Sequence, residues 1–216
     1  DELAVCQDAH GDGYVAGIPD GRKVFAEVAS GDIRSKGFDL NGLWVPWYTT
    51  HKLMAGLRDA YLYCDSDKAR TVLVKLADWS CVITDKLDDK QIQTMLACEH
   101  GGMNEVAAEV YALTGESKYL QLAERFYHRA ILDPLSRKED PFPGVHANTQ
   151  IPKLVGIARQ YELTGNPRFH TIATFAWDTI VHHHTYVTGG NSDREYFGPQ
   201  DTLSERLSEN TTETCN

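Results

Sequence analysis

The sequence predicts an all-α protein assembled from repeated helical hairpins. Three observations carry this. First, apolar residues recur at helical spacing from Trp44 onward. The stripes run through Leu53, Met54, Leu57, Ala60 and Tyr61, then Val72, Leu73, Leu76 and Ala77. They continue through Val106, Ala107, Val110 and Tyr111, then Tyr119, Leu120, Ala123 and Phe126. The last pair is Leu154, Val155 and Ala158, then Phe169, Ile172, Ala173, Ala176 and Trp177. Second, Tyr61, Tyr111 and Tyr161 stand 50 residues apart. Third, a turn follows each tyrosine: Cys64-Asp65-Ser66-Asp67, Thr114-Gly115-Glu116-Ser117 and Thr164-Gly165-Asn166-Pro167. Gly115 and Gly165 suit the left-handed residue that ends a helix. Asn166-Pro167 offers an N-cap followed by proline at the first helical position.

A unit of this length, with a tight turn at one end and a long loop at the other, differs from the ~34-residue tetratricopeptide unit. It points to an α/α toroid, in which hairpins stand in a ring. Three hairpins and an opening helical stub make about half of such a ring, so the expectation is a truncated one. In chain order, residues 1–7 read as the end of a helix. Residues 8–45, rich in glycine and turn signals, read as a long loop with a short strand near Val24-Phe25. Hairpins fill about 47–185, and residues 186–216 read as a site loop.

Composition narrows the function. Hydrophobic residues make up 42% of the 216 positions and charged residues 24%, a globular balance. Asp plus Glu outnumber Lys plus Arg by 31 to 21, a formal charge of −10, with no basic block. Nucleic acid and anionic membrane are therefore poor partners. No apolar run approaches the ~20 residues that span a bilayer. The five cysteines, Cys6, Cys64, Cys81, Cys98 and Cys215, form no C-x-x-C pair. The first four read as buried free thiols.

The unusual residues gather in the long loops and at helix starts. His51, His100 and His146 each open a helix at matched places in the repeat, 49 and 46 residues apart. Helix starts of a toroid converge on one mouth, so a shared pocket is expected. Trp44, Trp47 and Tyr48 beside His51 read equally as core or as a wall on which a sugar stacks. His182-His183-His184 cannot all face one ion from a helix, and reads as a helix-terminal or solvated cluster. Glu195 follows Gly189-Gly190-Asn191-Ser192-Asp193-Arg194 and precedes Tyr196-Phe197. Aromatic surroundings are where a carboxyl keeps its proton and serves as a general acid. Glu213 and Cys215, two residues apart, could both reach one Zn²⁺. Glu205 and Glu209 read as a solvated helix face.

In series, these motifs resemble the β-L-arabinofuranosidases of glycoside hydrolase families 127 and 146. The matching stretches are C-Q-D-A-H-G-D-G-Y (6–14), W-Y-T-T-H-K-L-M-A-G-L (47–57), E-H-G-G-M-N-E (99–105) and H-A-N-T-Q-I-P-K (146–153). Y-E-L-T-G (161–165), H-T-Y-V-T-G-G-N-S (184–192), E-Y-F-G (195–198) and E-T-C-N (213–216) complete the set, covering nearly all of the chain. The resemblance implies part of an (α/α)6 barrel catalytic domain that removes terminal L-arabinofuranose with retention. It implies Glu195 as acid/base, Glu213 and Cys215 as zinc ligands, and a zinc-bound cysteine nucleophile beyond residue 216. It implies substrate contacts from His51, His100 and His146, with Trp47 and Tyr48 beside them. The 216 residues alone are expected to be inactive. Two rivals remain from the residues themselves: another toroid sugar enzyme, such as an epimerase or unsaturated-uronide hydrolase, and a non-catalytic carbohydrate-binding toroid.

Overall fold

The structure, a computed structural model, describes residues 1–15 and 17–212. It is all-α apart from one small sheet, and divides into two compact units, 1–127 and 128–216. Among the described residues no helix is long and apolar enough to cross a membrane.

The first unit opens with α1 (Glu2–His10), closed by Gly11 in the left-handed region. Next comes α2 (Gly21–Ala29). This corrects the expected loop and strand. Val24, Phe25 and Val28 are spaced for one buried helical face, but Pro19-Asp20-Gly21 reads as a turn and hides the helix start. A three-stranded antiparallel meander follows: β1 (Ser35–Lys36), β2 (Asp39–Leu40) and β3 (Leu43–Trp44). Ser35 pairs with Leu40, and Asp39 with Trp44.

Two hairpins then stand side by side. α3 (Pro46–Cys64) and α4 (Asp67–Thr84) form the first; α6 (Met103–Thr114) and α7 (Ser117–Arg125) form the second. α3 packs on α6 and α4 on α7, so the 50-residue repeat is a structural repeat within this unit. Short α5 (Asp89–Met95) joins them, its start fixed by reciprocal hydrogen bonds between Asp88 and Gln91. An aromatic cluster forms the core. The Phe25 ring centroid lies 4.8 Å from Trp47 and 4.7 Å from Trp79, and Trp47 lies 5.1 Å from Phe126. Trp47 Nε1–H is directed at Met95 Sδ, 3.1 Å away.

The second unit holds α8 (Arg129–Ser136), α9 (Ala147–Thr164) and α10 (Pro167–Thr179). α10 runs into a π-helical turn, Ile180–His184, and a 3₁₀ turn spans Leu203–Arg206. Gly165 ends α9 in the left-handed region, and Asn166 caps α10 through its side chain, both as expected. The buried side of α9 differs from the apolar stripe. Lys153, Gly156, Ile157 and Gln160 face inward. Leu154, Val155 and Ala158 instead line a groove of about 490 Å³ with Ala173, Trp177 and Val181.

Candidate active site

In the first unit the site residues surround the start of α3. Val45 precedes it with φ 36°, a left-handed backbone that a β-branched residue tolerates poorly. Pro46 occupies the first helical position, Tyr48 lies in the first turn and His51 in the second. His51 is 5% exposed and its ring lies over Gly101 and Gly102. A β-carbon on Gly101 would overlap His51 Nδ1, and one on Gly102 would come within 3.0 Å of Nε2. The glycine pair of E-H-G-G thus makes room for an imidazole from the neighbouring hairpin. Burial, reinforced by Lys52 and Arg58, pushes the His51 pKa down to about 4. His51 is therefore neutral at pH 7. Its Nδ1 has no hydrogen-bond partner among the described residues.

His100 is 1% exposed, with Nδ1 3.0 Å from the Cys98 carbonyl and its ring against Phe126. Arg58 of α3 reaches across to α6, 3.4 Å from Glu105 and 3.7 Å from Glu109. Burial raises the Glu105 pKa, and Arg58 offsets only part of that.

In the second unit the centre is Glu195. Asp193 and Tyr196 exchange both backbone hydrogen bonds at 3.1 Å, leaving Arg194 and Glu195 as a two-residue turn. Both have positive φ, 51° and 71°, the pattern of a type I′ turn that normally takes Asn-Gly. A short ladder fastens this turn to the segment leading into α9. Ala147 N–H donates to the Glu195 carbonyl at 2.8 Å, Phe197 N–H to Val145 at 3.0 Å, and Gly144 N–H to Phe197 at 2.9 Å. His146 therefore faces Tyr196, and its Nε2 lies 3.6 Å from Glu195 Oε2. His146 also caps α9: its Nδ1 accepts the Thr149 N–H at 3.2 Å. A neutral imidazole that accepts at Nδ1 carries its proton on Nε2, the nitrogen nearer Glu195. The segment before residue 213 runs beside the same turn. Arg194 N–H donates to Asn210 and Thr212 N–H to Ser192, at 3.1 and 2.9 Å. Gly190 permits this approach, since a β-carbon there would come within 2.6 Å of Thr212 Cβ.

A profile of the family described as β-L-arabinofuranosidase, GH127 catalytic domain, matches residues 1–216. The chain belongs to this GH127 family. No curated protein sequence matches it. Membership makes it a glycosidase-type catalytic domain with a carbohydrate substrate.

Within the GH127 domain the expected site residues divide. Tyr48 is half-buried beside His51, with ring centroids 6.0 Å apart. Trp47 is a correction: at 1% exposure, among Phe25, Trp79 and Phe126, it has no ring face left for a sugar. The exposed tryptophan is Trp44, at 72%. Glu195 is also placed differently from expectation. Its side chain is 57% exposed, and the apolar enclosure anticipated from Tyr196 and Phe197 does not form around it. Phe197 instead packs inward on Phe142.

Glu213 and Cys215 lie outside the described residues. Among the described residues no three His, Cys, Asp or Glu side chains gather as a metal requires. Carboxylate and thiolate are ordinary zinc donors. The three consecutive histidines separate. His182 faces Asp178 at 3.5 Å, His183 faces Asp201 at 3.0 Å, and buried His184 holds Asp140 at 2.9 Å. The cysteines also differ from expectation: Cys98 is buried, Cys81 half-buried, and Cys6 and Cys64 exposed.

Sequence reasoning missed one buried and one half-buried polar group. Lys153, 1% exposed, donates to Gln150 Oε1 at 2.9 Å and lies 3.0 Å from His128 Nδ1. Gln150 in turn donates to the His146 carbonyl at 3.3 Å, so the lysine underpins the His146 turn. Burial, then Lys153, pushes the His128 pKa down to about 3. The second is Asp140. Burial alone would raise its pKa, but hydrogen bonds from His184, the Phe142 N–H and Gln200 leave it lowered. Only the helical i, i+3 spacing of Gln150 and Lys153 could have hinted at the first. Nothing local marks Asp140 and His184 as partners.

Proposed function

We propose that this GH127 domain removes terminal L-arabinofuranose from plant glycans or glycoproteins, with Glu195 as the acid/base. The observation that supports this reading is Glu195 itself. Its carboxylate stands exposed on a strained turn, with His146 Nε2 3.6 Å away. Residues held at left-handed φ without glycine cluster at functional sites.

In the reaction proposed, Glu195 gives its proton to the departing glycosidic oxygen while a cysteine thiolate outside the described residues bonds the anomeric carbon; it then takes a proton from the water that displaces that thiolate. His146 holds the carboxylate in place through both steps. His51, His100 and half-buried Tyr48 of the first unit are proposed as sugar-binding groups on the strength of the W-Y-T-T-H-K and E-H-G-G motifs alone. Zinc held by Glu213 and Cys215 belongs to the same proposal, on the strength of the E-T-C motif. When bound, it would keep a cysteine ionised. Cys6, Cys64, Cys81 and Cys98 all lie in the first unit, and none is assigned as the nucleophile.

Hydrolysis of an aryl β-L-arabinofuranoside by the parent enzyme tests the reading. Glu195→Gln is expected to lower kcat by at least about a hundredfold with KM little changed. Full activity in that variant would remove Glu195 from the mechanism.

A further inference from the structure

Thr149 is the third residue of α9 and half-buried, and the reading above assigns its side chain nothing. Its hydroxyl meets His146 at the same nitrogen as its backbone. Thr149 Oγ1 lies 2.7 Å from His146 Nδ1, and the Thr149 N–H donates to that nitrogen at 3.2 Å. A ring nitrogen that accepts an amide N–H presents a lone pair, so the threonine hydroxyl is the donor in the shorter contact. Two donors from one residue thus converge on Nδ1. A ring proton moved to Nδ1 would leave the amide facing another N–H, at the cost of an unmade hydrogen bond. Neutral His146 therefore keeps its proton on Nε2, 3.6 Å from Glu195 Oε2. Tyr196 holds the ring from a second side, edge-on, with centroids 5.5 Å apart at 81°. Thr149, His146, Tyr196 and Glu195 all lie in the second unit.

We propose that Thr149 is a positioning residue that locks His146 in its Nε2–H form. The imidazole then offers a donor, and not a lone pair, to the Glu195 carboxylate formed as the glycosidic oxygen takes its proton. This rests on Glu195 being the acid/base, as proposed above, and adds a residue that acts on it through His146. A separation of 3.6 Å is longer than a hydrogen bond, and contacts of this kind tighten when substrate binds. The hydroxyl donating at Nδ1 also polarises the ring and strengthens Nε2–H as a donor. A lone pair in its place would repel the new charge.

Nitrogen NMR of the imidazoles on the chain itself, with His146 assigned through His146→Gln, tests the lock. Kinetics of the parent enzyme test its use, with methyl and para-nitrophenyl β-L-arabinofuranoside as probes. The methyl leaving group needs a proton and the nitrophenolate does not. Expected are a neutral His146 with its proton on Nε2, and a mixture of both tautomers in Thr149→Val. That variant keeps the backbone N–H that caps α9, so it removes the hydroxyl alone. Thr149→Val should lower kcat about tenfold for the methyl glycoside with KM little changed, and less than about twofold for the nitrophenyl one. Thr149→Ser should restore both tautomer and rate. A proton found on Nδ1 in the unaltered chain, or a tautomer unmoved by Thr149→Val, overturns the lock. Equal losses with both glycosides, or none, leave Thr149 a helix-capping residue and overturn its positioning role, while the glycosidase reading stands. If the unaltered enzyme cleaves neither glycoside, the arabinofuranosidase reading fails, and the nitrogen spectra alone decide the lock.

Discussion

Gly101 lies beneath the imidazole of His51 with no space for a β-carbon between them. Its φ of 54° adds a second reason for glycine. Gly101→Ala should therefore destabilise the first unit by about 2 kcal/mol or more. It should also expel the His51 ring, moving its pKa from about 4 toward the ordinary 6.5. Urea denaturation reads the first effect and imidazole NMR the second. A variant as stable as the parent, with His51 still titrating low, would contradict the contact.

Buried His51 makes stability depend on pH. Its pKa is about 4 folded and 6.5 unfolded, so between those values the unfolded chain binds the extra proton. The contribution is complete above pH 6.5 and is lost as pH falls toward 4, up to about 3 kcal/mol. His128, lowered to about 3, acts in the same direction. Urea midpoints should climb between pH 4 and 6.5, and His51→Gln should flatten part of that slope. An unchanged slope would place His51 in solvent.

Arg194 and Glu195 form a turn whose geometry prefers glycine. Left-handed backbone costs a residue with a β-carbon about 1–2 kcal/mol. Glu195→Gly should raise the thermal midpoint by about 2–4 °C while abolishing turnover. A lowered midpoint would mean that the His146 contact outweighs the strain.

Lys153 supports His146 from below through Gln150. Lys153→Met should cost about 2 kcal/mol, because the buried acceptors on Gln150 and His128 lose their donor. It should also let the His128 pKa rise, since Lys153 is the second cause of its depression after burial. A His128 titration that does not move would separate the two residues.

The hairpins were legible because helix, turn and cap all repeat in the sequence. Tyr61, Tyr111 and Tyr161 carry the period, and Gly115 and Gly165 end their helices where expected. Even the fate of Trp47 was within reach. Trp47, His51, Met54 and Leu57 fall at i, i+4, i+7 and i+10, one buried face of α3, whereas Trp44 precedes the helix. The turn at Glu195 was not legible. Sequence signals for a type I′ turn are glycine and asparagine, and Arg194-Glu195 has neither. The inward face of α9 was missed because Lys153 and Gln160 are polar, and hydrophobic periodicity points to the opposite side.

The ladder between the α9 start and the Glu195 turn has a practical consequence. The Ala147 amide hydrogen is bonded to the carbonyl of Glu195 and to nothing that depends on a substrate. Its exchange with deuterated solvent clocks each opening of the turn. One backbone amide thus reports how often the proposed acid/base leaves its station, in a sample that need not catalyse anything.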